Sequence, residues 1–299
     1  MLLSTSTNLF AYRPDWVSFI PILDSMRMAK AAGFDAIDLN LCDVTRPYYL
    51  LARDDWRDWV GRLGEASKEL SLPITQSHTP FYHQLDPGFA KREEYEAMVR
   101  RSIEASGMLG VPWIVMHAGT FPGDDSSFAE SRRLNYEYFM PLLELAGRYG
   151  SGIAIENLYD EPVASRTRPN GVFTASFVEL CGLVDGLGAA NVGVCWDFGH
   201  AHLMGVDQPN ALRYVGKRLK ATHVADNSGY YDDHILPFQG KIDWRGILPV
   251  LSEIGYNGDL TYEIHNTTCR LPDQLLEPTG RLCAETGRYL LALAQGKAR

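Results

Sequence analysis

Cysteine is scarce in this sequence of 299 residues, and its few occurrences have no regular spacing. The five cysteines are Cys42, Cys181, Cys195, Cys269 and Cys283. Their number is odd and no two of them form a Cys-x-x-Cys pair, which argues against both a disulfide framework and a zinc site built from thiolates. We therefore expect reduced thiols.

Long apolar runs and clusters of positive charge are also missing. No stretch approaches the roughly 20 apolar residues that cross a bilayer, and residues 1–12 lack the basic and apolar segments of a secretory signal. With 28 Lys and Arg against 37 Asp and Glu, the formal net charge is −9. Because DNA binding depends on neutralising phosphates, this balance disfavours a nucleic-acid partner. We expect a cytoplasmic protein without a membrane or nucleic-acid partner.

What the sequence does contain is a regular alternation of short apolar runs and helical patterns. Most of the runs are nearly continuous, as in strands that are covered on both faces. The predicted strands are residues 6–12, 34–40, 73–79, 112–119, 152–158, 192–198, 219–226 and 258–264. The predicted helices are residues 15–32, 54–70, 89–109, 127–149, 173–187, 207–217, 243–255 and 273–296. Eight strand–helix units predict an α/β protein with a (β/α)8 TIM barrel, a single domain over residues 1–299, rather than an open sheet.

Six of the eight apolar runs end in a carboxylate or a histidine. These ends are His78, His117, Glu156, Asp197, His223 and Glu263. In a parallel barrel the carboxyl end of every strand borders one common mouth. We therefore expect these side chains to converge, although they are far apart in the sequence.

The last four strand ends predict a metal site. Glu156, Asp197, His223 and Glu263 together offer three carboxylates and one imidazole, an oxygen-rich set that suits Mn²⁺, Mg²⁺ or Co²⁺, and also Zn²⁺. The alternative for any one of them is a buried polar group that is satisfied by its neighbours. Burying three carboxylates without a cation would be costly, since like charges at close range oppose ionisation.

Five further residues are candidates for substrate binding. His78 and His117 end strands three and four, while His200, Asp232 and His234 follow strands six and seven. Each could be an additional metal ligand, a general acid or base, or a hydrogen-bond partner for a polyol; the alternative is a histidine that only orients its neighbours. Five aromatic residues are expected near the mouth, either stacking on a sugar or packing. They are Phe81, Tyr82, Trp113, Trp196 and Phe238.

Several segments resemble the sugar phosphate isomerase/epimerase superfamily, the xylose isomerase-like TIM barrels. They are Ile-Ala-Ile-Glu-Asn-Leu (153–158), Trp-Asp-Phe-Gly-His-Ala-His-Leu (196–203), Thr-His-Val-Ala-Asp-Asn (222–227) and Thr-Tyr-Glu-Ile-His (261–265). The resemblance extends over essentially the whole chain. It implies an enzyme whose small-molecule substrate is a sugar or a sugar-derived keto compound, and a homo-oligomer is compatible with it.

The resemblance also implies a mechanism and a ligand set. One divalent ion, with Mn²⁺ favoured, would be held by Glu156, Asp197, His223 and Glu263. Glu156 and Glu263 would also move protons in an isomerase or epimerase reaction, and His200 would contact substrate oxygens. The chemistry of the residues agrees, because a cation that chelates a carbonyl and the adjacent hydroxyl stabilises an enediolate, and a carboxylate can remove and return the proton.

Other activities remain open at this point. A lyase or dehydratase would begin with the same proton abstraction. Residues 224–231 contain no arginine, although ketose 3-epimerases usually carry one shortly after the metal histidine. The nine metal and substrate candidates together resemble the tri-zinc ligand set of endonuclease IV, which would permit a phosphoesterase. A non-catalytic barrel that binds a sugar or serves as a partner subunit is a third hypothesis. For a phosphorylated substrate, the candidate cations are Arg46, Arg166, Arg168 and Lys241.

Overall fold

The strands of the chain form one parallel sheet that closes into a barrel. A computed structural model describes residues 1–15, 18–42, 50–125, 127–160 and 171–298, and within them it contains eight strands. The strands are β1 (Leu3–Ser6), β2 (Ala36–Asn40), β3 (Ile74–His78), β4 (Trp113–Met116), β5 (Gly152–Glu156), β6 (Val192–Asp197), β7 (Leu219–His223) and β8 (Leu260–Tyr262). They pair in the order β7-β6-β5-β4-β3-β2-β1-β8, and a parallel bridge between Val224 and Tyr262 joins the two ends. The predicted (β/α)8 barrel is confirmed.

Helices follow the strands around the outside of this barrel. In the described ranges they are α1 (Ile22–Ala32), α2 (Trp56–Glu69), α3 (Arg92–Met108), α4 (Ala129–Arg148), α5 (Phe177–Leu187), α6 (Phe198–Leu203), α7 (Gln208–Val215), α8 (Trp244–Ile247), α9 (Pro249–Glu253) and α10 (Asp273–Ala294). Gly33 ends α1 with φ at 103°, a left-handed conformation that favours glycine. Asp243 caps α8, since its side chain accepts a hydrogen bond from the Gly246 N–H at 3.1 Å. None of these helices is long and apolar enough to span a membrane.

Three predicted boundaries were wrong, each for a local reason. The first strand was expected at 6–12 but covers Leu3–Ser6, because the Ser6 hydroxyl accepts a hydrogen bond from the Asn8 N–H and caps a turn of 3₁₀ helix. Helix α1 was expected from residue 15 but begins at Ile22, after an extended Pro21. The helix expected at 243–255 is divided at Pro249, which has no N–H to continue the helix.

Alternate residues of each strand point into the barrel, so the residue two positions before a mouth residue lies beneath it. Beneath the mouth, the side chains of four neighbouring strands are small and apolar and pack together in a buried cluster. This cluster consists of Val115, Ala154, Cys195 and Ala221. The opposite faces of the strands carry residues such as Ile153 and Ile155, which are buried against the helices. Burying one such side chain stabilises the fold by roughly 1.5–3 kcal/mol.

Candidate metal centre and adjoining cavity

Four acidic and histidine side chains meet at the carboxyl ends of the last four strands. Glu156, Asp197 and His223 are the final residues of β5, β6 and β7, and Glu263 directly follows β8. One ligand atom from each of them lies within 4.8 Å of the others. The convergence expected from the sequence is therefore present, and metal binding by this group stays a prediction.

Glu156 lies at the centre of the group and is held by three histidines. Its Oε1 is 2.9 Å from Nδ1 of His223, and its Oε2 is 3.0 Å from Nε2 of His117 and 3.2 Å from Nε2 of His78. Burial alone would raise the pKa of Glu156, but the charge of His223 and these hydrogen bonds hold it well below its usual value. Glu156 is thus an ionised carboxylate in the interior.

Asp197 provides the test of whether the group suits a cation. Its Oδ1 accepts a hydrogen bond from the His200 N–H at 2.6 Å, while Oδ2 is buried and has no hydrogen-bond partner in the described part of the chain. Burial raises the pKa of Asp197 to about 6. A buried carboxylate oxygen without a partner is costly, and a hard divalent ion prefers such oxygens. The residues present therefore fit a metal of the predicted kind.

The two nitrogens of His223 face different surroundings. Nδ1 points to the carboxylates, with Glu156 at 2.9 Å and Glu263 Oε2 at 3.3 Å. Nε2 points down into the barrel, where Oδ2 of Asp38 on β2 lies 3.3 Å away. The nitrogen available to a metal is therefore Nδ1.

His78 and His117 form the opposite arc of the mouth, as predicted. Their Nε2 atoms are 3.2 Å apart, and ligand atoms of these two residues and Glu156 also lie within 4.8 Å of one another. Nδ1 of His78 is 2.8 Å from the carbonyl oxygen of Thr79, which requires Nδ1 to be the donor. Its Nε2 faces Glu156 and His117 at the mouth.

Asp232 lies between the other two predicted substrate-binding residues, His200 and His234. Oδ2 of Asp232 lies 2.8 Å from Nε2 of His234 and 3.4 Å from Nε2 of His200. The other ring nitrogens are oriented by the backbone: Nδ1 of His200 donates to the carbonyl of Asn157, and Nδ1 of His234 donates to that of Glu263, both at 2.8 Å. Burial lowers the pKa of His234, but Asp232 outweighs it and raises the pKa to about 10.

An open cavity of about 510 Å³ adjoins His117 on the side of β3, β4 and β5. The Phe81 side chain is 53% exposed, and its ring stacks on His117 with centroids 4.9 Å apart. Tyr159 approaches His200, with ring centroids 5.0 Å apart. The aromatic and histidine side chains lining the cavity are Phe81, Tyr82, His83, Phe89, Tyr95, His117 and Tyr159. The expectation that Phe81 and Tyr82 lie near the mouth is thus confirmed.

The expected position was wrong for Trp113, whereas Trp196 and Phe238 pack against the protein, the second of the two roles expected for them. Trp113 is the first residue of β4 and therefore lies at the opposite end of the barrel. Trp196 is buried and donates its indole N–H to the side chain of Gln208. Phe238 packs against Tyr289 of α10, outside the barrel. All three have structural roles.

Sequence reasoning also missed two residues that hold the site in place. Asn157 accepts a hydrogen bond from the Asp197 N–H at 2.7 Å and donates one to the Asp197 carbonyl at 2.9 Å. Asp226 is buried and accepts hydrogen bonds from the Trp244 indole and from the backbone of Phe238, which anchors the loop that carries Asp232. Asn157 directly follows Glu156 in the sequence, and Asp226 lies three positions after His223. This closeness to predicted metal ligands is the feature of the sequence that could have identified them.

The candidate cations for a phosphate fall mostly outside the part of the chain that the structure describes. Arg46, Arg166 and Arg168 lie outside the described residues. Lys241 is described, and its Nζ lies 5.1 Å from the centre of the Tyr230 ring. A phosphate site stays a prediction.

Comparison with known proteins gives a consistent result. A model of the xylose isomerase-like TIM barrel family matches residues 26–285. An uncharacterized protein of Methanocaldococcus jannaschii is 30% identical over 258 residues, which are 83% of this chain and 81% of that protein. An inosose isomerase of Bacillus velezensis is 27% identical over 141 residues, 45% of this chain and 47% of its own length.

Among solved structures, that of a D-tagatose 3-epimerase-like protein is similar to this chain along its length. It covers 99% of both chains with a TM-score of 0.76 and 21% sequence identity. At that identity the likeness concerns the fold. Sugar isomerases and epimerases are thus among the proteins that this chain is similar to.

Proposed function

The chain belongs to the xylose isomerase-like TIM barrel family, and we propose that it is a metal-dependent isomerase or epimerase of a sugar or a sugar-derived keto compound. The observation that carries this proposal is the group at the mouth, where ligand atoms of three carboxylates and one histidine lie within 4.8 Å of one another. Such a group is costly to bury unless a cation is bound.

In this proposal Glu156, Asp197, His223 and Glu263 hold the divalent ion, with Mn²⁺ favoured and Mg²⁺, Co²⁺ or Zn²⁺ as alternatives. When bound, the ion supplies Lewis acidity that polarises a carbonyl and makes the neighbouring carbon-bound proton more acidic. Side chains of this protein transfer the proton and bind the substrate.

Two of these carboxylates transfer the proton. Glu156 on β5 and Glu263 after β8 flank Asp197 and His223 in the strand order, so a substrate carbon above the group has a carboxylate on either side. One carboxylate takes the proton, and the electron pair of the C–H bond moves into the carbonyl to give an enediolate. The other carboxylate, once it has taken up a proton from solvent, delivers it to the opposite face of the same carbon, or the first carboxylate returns its proton to the adjacent carbon. The first outcome is epimerisation, and the second is isomerisation.

Glu263 is the better candidate for the first proton abstraction. Its side chain is 14% exposed, whereas that of Glu156 is 1% exposed. Both oxygens of Glu156 are already engaged by histidines. A carboxylate that reaches the mouth with fewer hydrogen bonds approaches a substrate more directly, so Glu263 is the residue on which turnover depends most.

The remaining predicted residues bind the substrate. His78 and His117 lie on one arc of the mouth, and His200, Asp232 and His234 lie on the other, where they can exchange hydrogen bonds with sugar hydroxyls. The aromatic cavity beside His117 offers apolar faces for the distal part of the substrate. A lyase or dehydratase that expels a β-hydroxyl after the same abstraction is the nearest variant.

The proposal is tested by hydrogen exchange. The Mn²⁺-loaded protein is incubated in D₂O with a panel of ketoses and inososes, and carbon-bound deuterium is measured by NMR and mass spectrometry. We expect metal-dependent incorporation into at least one compound, and loss of water from the product would identify the lyase variant. If the protein binds Mn²⁺ at the mouth but exchanges no hydrogen in any compound, a non-catalytic binding role replaces the proposal.

A second candidate function is a phosphoesterase with several metal ions. The observation that favours it is the presence of two further clusters of histidine and carboxylate side chains at the mouth. One consists of His78, His117 and Glu156, and the other consists of His200, Asp232 and His234. The net charge of −9 weighs against a nucleic-acid substrate. Metal content per chain separates the two functions. One bound ion supports the isomerase, whereas three ions together with incision of DNA at an abasic site would support the phosphoesterase.

A further inference from the structure

We propose that Asp38 is a positioning residue that orients the metal ligand His223. This inference rests on the proposed function, because it concerns the same metal group. Asp38 lies in β2, on the face that points into the barrel, and its side chain is 2% exposed. It does not reach the mouth and cannot touch a substrate directly.

The geometry around the His223 ring carries the inference. Nδ1 lies 2.9 Å from Glu156 Oε1 and 3.3 Å from Glu263 Oε2, so this nitrogen faces the metal group. Nε2 points to the other side of the ring, where Asp38 Oδ2 is 3.3 Å away. Nε2 is buried and has no hydrogen-bond partner among the described residues, and Asp38 Oδ2 is the carboxylate oxygen that faces it at ion-pair distance.

Without an ion, Nδ1 of His223 also faces a carboxylate, Glu156 Oε1 at 2.9 Å. When an ion takes the lone pair of Nδ1, the hydrogen of the neutral ring lies on Nε2, on the side of the ring where the Asp38 carboxylate lies. That lone pair points to the position shared by Glu156 and Glu263. Partners of this kind, placed behind a metal-binding histidine, fix its ring orientation and make it a stronger ligand.

The surroundings of Asp38 give a second reason to assign it a role. Gln76 donates a hydrogen bond to Asp38 Oδ2 at 3.4 Å, but Asp38 Oδ1 is buried and has no hydrogen-bond partner in the described part of the chain. The barrel interior beneath the mouth also holds small apolar side chains such as Cys195 and Ala221. An incompletely paired carboxylate is unfavourable there.

The experiment measures metal affinity rather than turnover. Mn²⁺ is titrated by calorimetry into the metal-free wild-type protein and into Asp38→Asn and Asp38→Leu, with circular dichroism to verify folding. We expect Asp38→Leu to bind Mn²⁺ about 10- to 100-fold more weakly. Asp38→Asn keeps an oxygen that accepts from Nε2, so it should lose less, and it keeps the test valid if Asp38→Leu fails to fold. Ser77→Ala is the matched control, because Ser77 is a buried polar residue of the neighbouring strand β3 that pairs with Ser106 on the helix side, and it should bind Mn²⁺ as the wild type does.

The ring itself provides an independent readout. In the protein labelled with ¹⁵N-histidine and loaded with diamagnetic Zn²⁺, the His223 signals should report the tautomer with hydrogen on Nε2, and Asp38→Asn should shift the Nε2 resonance. Wild-type affinity in a folded Asp38→Leu protein, or an equal loss in Ser77→Ala, would overturn the inference while leaving the proposed function intact. A wild-type protein that binds no Mn²⁺ at this group would instead overturn the proposed function.

Discussion

His223 Nδ1 lies 2.9 Å from Glu156 Oε1, although the two residues are 67 positions apart in the sequence. The strands that carry them, β5 and β7, are separated by β6, whose Asp197 completes this side of the group. A histidine and a carboxylate held this closely, beside Asp197 Oδ2, which has no hydrogen-bond partner among the described residues, form a preorganised ligand set.

Removing the carboxylate charge at either end of the ligand set should abolish exchange. Glu263→Gln and Glu156→Gln should each reduce metal-dependent deuterium incorporation by about 10²–10⁴-fold, the contribution of a positioned general base. Glu253→Gln is the control, since Glu253 lies on the surface and pairs with Arg213. A Glu263→Gln variant that exchanges at nearly the wild-type rate would remove this residue from proton transfer.

Metal removal should lower both activity and stability. A ligand that binds only the folded protein stabilises it by about 2.7 kcal/mol at a hundred times its Kd. Thermal unfolding in excess Mn²⁺ should therefore occur at a higher temperature than in EDTA. Asp197→Asn should show a much smaller difference, because it loses one of the four ligands. Full activity in the EDTA-treated protein would contradict the metal mechanism.

Truncating the aromatic wall of the cavity should weaken substrate binding. Phe81→Ala removes an exposed ring that stacks on His117, and we expect KM to rise about tenfold with a smaller change in kcat, a loss on the order of 1 kcal/mol. Phe238→Ala is the matched control, since Phe238 is 44% exposed and packs on Tyr289 instead. Equal kinetic effects in the two variants would show that the cavity does not receive the substrate.

Breaking the anchor of the loop after β7 should destabilise the protein. Asp226 accepts hydrogen bonds from the Trp244 indole at 2.9 Å and from the Phe238 and Ile242 N–H groups at 2.8 and 3.1 Å. Asp226→Ala leaves these donors buried without a partner, so we expect the free energy of unfolding to fall by on the order of 3 kcal/mol in urea denaturation. Asp226→Asn keeps one acceptor oxygen and should lose less. If alanine is tolerated without loss, the loop is held by other contacts.

The ion pair between Asp35 and Arg288 should make stability depend on acidic pH. Arg288 Nη2 lies 2.8 Å from Asp35 Oδ1, and its hydrogen bond lowers the pKa of Asp35 despite partial burial. Because the folded-state pKa is the lower one, the contribution is complete above the unfolded pKa of about 3.9. It is lost as the pH falls through the folded-state pKa. The side chains are partly exposed, so the pair contributes only about 0.5–1 kcal/mol.

Two variants isolate this contribution. Asp35→Asn should be less stable than the wild type at pH 7, and the difference should shrink as the pH is lowered below 4. Asp24→Asn, in an exposed pair with Arg27, should unfold like the wild type at both pH values. A difference between Asp35→Asn and wild type that does not change with pH would show that the ion pair is not its cause.

Much of the barrel could be predicted because its pattern is local. Residues 152–158 and 192–198 are short apolar runs with a polar end, and a parallel barrel gathers such ends at one mouth. The prediction failed where a single contact decided the structure. Ser6 begins a turn of 3₁₀ helix instead of a strand, because its hydroxyl accepts a hydrogen bond from the Asn8 N–H. Trp113 looked like a mouth residue, but the strand begins there rather than ends.

By itself, the sequence determined the alternation of strands and helices, and with it the identity of the polar residues that end neighbouring strands. Only the tertiary structure decided how those side chains face each other. Nothing in the order of residues says that Asp38 Oδ2 lies behind His223, or that Asp232 lies between His200 and His234. The physical reason is that hydrophobic periodicity reports which face of an element is buried. The orientation of a ring or a carboxylate, by contrast, depends on hydrogen-bond partners that the closed barrel brings from distant strands.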